Sequence, residues 1–120
     1  MTRYLISFDA GWMDFPEEDL PDVARAAHEV VRESMDAGVW VFAGGLEDKR
    51  ASVVATDGTV TDGPYPETKE IIAGFTIVDV PSREEALRWA AKIAAACRCK
   101  QEVREFGDDS FSDPDAHRQP

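Results

Sequence analysis

The order of hydrophobic patterns along this 120-residue chain predicts an α+β fold, a ferredoxin-like two-layer sandwich in which an antiparallel sheet carries two helices on one face. Three observations carry that expectation. Strand-like and helix-like segments follow one another as strand, helix, strand, hairpin, strand, helix, strand. Only two apolar helical stripes exist to cover the sheet. Two strands are nevertheless apolar on both faces: Val39 to Ala43 is apolar throughout, and Ile71 to Val80 shows Ile71, Ala73, Phe75 and Ile77 on one side against Ile72, Val78 and Val80 on the other. A sheet with helices on one side should turn a polar face to water, so a second copy of the chain is expected to cover the other one, giving a homodimer.

Arg3 to Phe8 alternates and is rich in β-branched and aromatic side chains, which makes the first strand. Asp9 to Phe15 is a loop. A helix follows from Glu17 or Leu20 to Ala37, with Glu17, Glu18, Asp19 and Asp22 complementing its N-terminal dipole, Pro21 confined to its first turn and Gly38 closing it. Leu20, Val23, Ala27, Val30, Val31 and Met35 recur at helical spacing as its buried stripe. Val39 to Ala43 is the second strand, and Gly44-Gly45-Leu46 suggests a bulge or a close backbone approach. Ala51 to Thr56 and Thr59 to Thr61 form a hairpin around Asp57-Gly58. Ile71 to Val80 is a long strand, and Ser82 with Glu85 makes the capping box of a second helix whose apolar face is Ala86, Trp89, Ala90, Ile93 and Cys97. Cys99 to Phe106 reads as the last strand. Residues 1–106 thus form one domain, and residues 107–120 are an acidic, flexible tail with Phe111 as its one apolar anchor.

A formal charge of −11 repels phosphate backbones and anionic lipid surfaces, and Lys and Arg form no cluster, so neither nucleic acid nor membrane is an expected partner. The first residues turn polar too early for a signal peptide and no apolar run reaches membrane-spanning length, which points to a cytoplasmic protein. Cys97 and Cys99 are the only cysteines, too close for an unstrained structural disulfide and too few for a zinc framework. They read as reduced thiols at the end of a helix. No phosphate loop, nucleophile elbow or metal-ligand cluster is present, so no metal and no cofactor is expected, and any catalysis would rest on acid/base groups in an apolar pocket.

The segment that concentrates turn formers and charge is Thr61-Asp62-Gly63-Pro64-Tyr65-Pro66-Glu67-Thr68-Lys69-Glu70, leading into Ile71-Ile72-Ala73-Gly74-Phe75. Glycine's freedom and proline's fixed φ make a sharp corner at Asp62-Gly63-Pro64 and leave the Asp62 carboxylate at a rim, where it could equally cap its own turn. His28, the sole histidine ahead of the tail, sits at the edge of the first helix's apolar stripe beside Ala24, Val31 and Met35. An imidazole there can face a cleft, with an unperturbed pKa suited to proton transfer near neutrality; a solvated surface histidine is the plainer reading. Trp12, Met13 and Phe15 could form a lid over a ligand or simply anchor their loop.

The run from Asp62 to Phe75 resembles the signature of the DGPF proteins, the YCII-related family, whose usual wording is Asp-Gly-Pro-Phe-Ala-Glu-Thr-Lys-Glu before a Gly-Phe strand. The resemblance spans nearly all of residues 3–106, strongest over 61–75 and weakest over 47–56. It implies a dimeric α+β barrel, in which two such sheets pack face to face. It also implies a histidine–aspartate pair at the site, which matches His28 and Asp62 here. Asp62 accepting from one imidazole nitrogen would leave the other as base or acid. Lys69 and Glu70 match the motif as well, though neighbours in a strand point to opposite faces and Glu70 is the one kept as a ligand contact. Tyr65 stands where phenylalanine is usual and offers a hydroxyl to a ligand. Pro66 for alanine stiffens the same rim, and Glu105 replaces the proline that usually follows Glu-Val-Arg. Two functions follow as expectations. One is a cofactor-independent isomerase or lyase acting on an apolar small molecule through His28 and Asp62, with Trp12, Tyr65 and Glu70 in contact with the ligand. The other is a non-catalytic ligand-binding or regulatory module, linked through the family's usual gene neighbours to an extracytoplasmic-function sigma factor.

Overall fold

A computed structural model of the chain describes residues 1–46, 51–63 and 72–108. Six strands and two helices follow in the expected order: β1 (Thr2–Asp9), α1 (Leu20–Asp36), β2 (Trp40–Gly45), β3 (Ala51–Val54), β4 (Val60–Gly63), β5 (Ile72–Val80), α2 (Arg83–Cys97) and β6 (Glu102–Glu105). Four of the strands make one sheet in the order β2-β5-β1-β6, every pair antiparallel, while β3 and β4 make a separate hairpin. With α1 and α2 packed on one face, this is the ferredoxin-like two-layer sandwich predicted from the pattern of periodicities.

Alternation places one side of each strand against the helices. Tyr4 and Ile6 of β1 and Val78 and Val80 of β5 are buried there with Val39, Ala86, Ala90, Ile93, Cys97 and Cys99. Ile6, Val78 and Val80 are completely enclosed, and each such side chain contributes about 1.5–3 kcal/mol relative to exposure. The other parity, Leu5, Phe75 and Ile77 with Phe42 of β2, faces away from the helices and remains partly or largely exposed.

Each helix is delimited by its own chemistry. Residues Glu17–Asp19 form a short 3₁₀ turn ahead of α1, and Pro21 falls at the start of the helix, where it has no hydrogen bond to break. Gly38 closes the helix at φ +76°. The Ser82 hydroxyl accepts from the Glu85 N–H at 3.3 Å and caps α2. At the other end Arg98 occupies the left-handed region at φ 57°, and its guanidinium reaches Asp19 at 2.8 Å, tying the end of α2 to the start of α1.

Several expectations need correction. Leu20 and Met35 are exposed rather than part of α1's buried stripe, whereas Ser34 is buried because its hydroxyl donates to the Val31 carbonyl at 2.6 Å. Gly44 and Gly45 do not end β2 but continue it, and the bulge lies earlier, between Trp40 and Phe42. The close backbone approach is at Gly74, where a Cβ would stand 2.8 Å from the Phe8 ring and 3.3 Å from the Gly44 carbonyl oxygen. The last strand starts at Glu102 rather than Cys99, because the left-handed residue at the end of α2 turns the chain and packs Cys99 into the core first.

Candidate functional site

Helix α1 crosses the sheet over β2 and β5, and where small residues line both elements they leave a cavity of about 360 Å³. Its roof is one face of α1, with Val23, Ala24, Ala27, His28 and Val31 at the spacing that puts them on a single side. Its floor is β2 and β5, with Trp40, Ala43, Gly74 and Thr76. Ile93 and Cys97 of α2, with Gln101 beyond it, close the inner wall, and Met13 and Leu20 stand at the margin. The lining is mostly apolar with a few polar groups, the usual make-up of a small-molecule pocket.

His28 is exposed where α1 meets the opening, so its imidazole is reachable both from solvent and from a bound molecule. Asp62 is exposed in β4, opposite Ser52 in the hairpin, and no hydrogen bond joins it to His28. Trp12 does not line this cavity; it packs against the core and lies under Lys100, whose Nζ stands 4.8 Å from the ring centroid. Its neighbour Met13 is the loop residue that reaches the cavity. Tyr65 and Glu70 lie outside the described residues, as do Pro66 and Lys69.

Sequence reasoning missed the polar groups of the cavity floor. Thr76 is 9% exposed and lines the cavity, and its hydroxyl makes no hydrogen bond among the described residues. The signal was present: Thr76 is the one polar side chain on the helix-facing parity of β5, between Gly74 and Val78. The Trp40 indole Nε1 is buried without a partner among the described residues. The Gln101 side chain is held by its Nε2, which donates to the Cys99 carbonyl at 3.3 Å.

Cys97 and Cys99 are buried, unoxidised thiols. Burial pushes both up from the ordinary 9.0, and proximity to Cys99 raises Cys97 further. Protonated thiols are poor nucleophiles and poor metal ligands. No group of three or more His, Cys, Asp or Glu converges on a common point among the described residues, and none of their helices is long and apolar enough to cross a membrane.

No curated protein matches the chain. A model of the YCII-related domain matches residues 17–106, a span that runs from the turn before α1 to the residue after β6 and so includes the cavity roof, its floor and the Asp62–Phe75 segment. The chain belongs to the YCII-related family.

Proposed function

We propose that this protein binds an apolar small molecule in the cavity beneath α1 and that His28 exchanges a proton with it, in cofactor-independent chemistry of the isomerase or lyase type. The observation that carries this reading is the position of His28 in the wall of the cavity, the one imidazole among the described residues of a mostly apolar lining. An imidazole at the border between solvent and an apolar pocket can take a proton from one side and return it to the other. In this reading Asp62 orients His28 only once ligand or a second subunit brings the hairpin towards α1, since no bond joins the two otherwise. The same lack of an orienting partner favours a second reading, a non-catalytic binding or regulatory module that uses the cavity without proton transfer.

His28→Ala separates the two. In the acid/base reading, the variant keeps its fold and its affinity for a cavity ligand but loses turnover of that ligand, and Asp62→Asn lowers turnover as well. If neither substitution changes the turnover of any compound the cavity binds, the basis for proton transfer is gone and the binding module remains.

We further propose that the protein is a cytoplasmic homodimer, paired through the sheet face away from the helices. Phe42 and Phe75 stack there at 5.9 Å between centroids, and the register sets Arg3 beside Asp79 and Arg104 beside Leu5. That face mixes both signs of charge in a chain whose net charge is −11, which makes it a surface where a second copy meets less repulsion.

A further inference from the structure

We infer that the cavity selects an uncharged, largely apolar molecule bearing one hydrogen-bonding oxygen, and that Thr76 is the residue that recognises this oxygen. The inference rests on the proposed role of the cavity and specifies its ligand. Thr76 lies on the floor, more than nine-tenths buried, in register with Ala43 on β2 and Ile6 on β1, both of which leave its hydroxyl no polar neighbour across the sheet. The hydroxyl opens onto the cavity without a bond inside the chain, so a ligand oxygen held in the apolar lining finds a hydrogen-bonding partner there. The buried Nε1 of Trp40, also without a partner, belongs to a side chain of the same floor and adds a second donor to that region.

The charge of the ligand follows from what the wall lacks. Among the described residues, no Lys, Arg, Asp or Glu lines the cavity. A carboxylate or phosphate taken into this pocket loses most of its hydration with only the exposed His28, when protonated, to compensate, and the net charge of −11 opposes its approach. A phenol, alcohol, ketone or ester group makes no such demand.

Three probes of one shape test this: 2-naphthol, 2-naphthoate and naphthalene, each titrated into the full chain at pH 7.5 while the NMR signals of Ala24, Ala27 and Ala43 are followed. The expected result is binding of 2-naphthol about tenfold tighter than of either other probe, the worth of one added hydrogen bond. Thr76→Val should bring 2-naphthol down to the affinity of naphthalene and leave naphthalene unchanged, whereas Thr76→Ser should keep the preference. Naphthoate binding as tightly as naphthol overturns the inference, as does a preference for naphthol that survives in Thr76→Val, and in either case the cavity remains a binding site. If none of the three probes moves those signals, the cavity is not a ligand site and both readings fall together.

Discussion

At the scale of single residues, the sheet under the cavity is held to shape by what Gly74 does not carry. The Phe8 ring fills the space where its Cβ would be, so Gly74→Ala must push the ring towards the cavity and should cost about 1–3 kcal/mol in urea unfolding, whereas Gly45→Ala meets only ordinary contacts and should fold like the parent. The two buried thiols make a second prediction, about pH. Burial favours the protonated form of Cys97 and Cys99 in the folded state, so their contribution is complete below the ordinary value of 9.0 and is lost as pH rises through the raised folded values. Stability measured by urea should therefore fall over a range of pH that begins at about 9, and less steeply in Cys97→Ala. Above that range Tyr4 adds to the loss, because burial and then its bond to Glu105 hold the phenol above its ordinary 10.0. His28 was legible as a border residue because helical spacing locates it. Thr76 was legible as the one polar side chain on the helix-facing parity of β5, but that a cavity opens over it was not, because only the packing of α1 on the sheet reveals the cavity.

At the scale of elements, the boundaries most clearly written in the sequence are those with local chemistry: the Ser82 cap, the Asp57-Gly58 turn at φ +89° for Gly58, and Pro21 in a first turn. The end of α2 was not legible, because Arg98 takes a left-handed conformation in which glycine is the common residue. Its ion pair with Asp19 accompanies that strain. Arg98→Ala and Arg98→Gly both lose the pair, so their difference isolates the backbone, and the glycine variant should be the more stable by about 1 kcal/mol in thermal or urea melts. The hairpin is the least supported element. Val54 and Val60, paired across it, are 63% and 61% exposed, and a two-stranded hairpin is only marginally stable alone in water. That Asp62 resides there without a bond to His28 could not be foreseen from a motif that sets spacing along the chain and says nothing of distance through space.

For the whole molecule, the two-layer architecture was legible because period-2 and period-3.6 segments alternate without ambiguity, and because only two helices are available for four sheet strands. The arrangement leaves Phe42 54% exposed on the face away from those helices. If that face pairs two copies, Phe42→Lys should shift the sedimentation of the protein from dimer to monomer with the helical circular dichroism unchanged, and a dimer that survives the substitution would place the interface elsewhere. The connectivity of the sheet bears also on how the chain comes to be folded in time. Strand β1, the first to leave a ribosome, finds its two neighbours only in residues 72–80 and 102–105. One edge thus stays open until β5 is made and the other until β6 is made, and contacts of such long sequence separation form slowly. Nascent chains halted short of residue 102 should hold β1 unprotected on one side, a window in which a chaperone, or another nascent copy, can reach it.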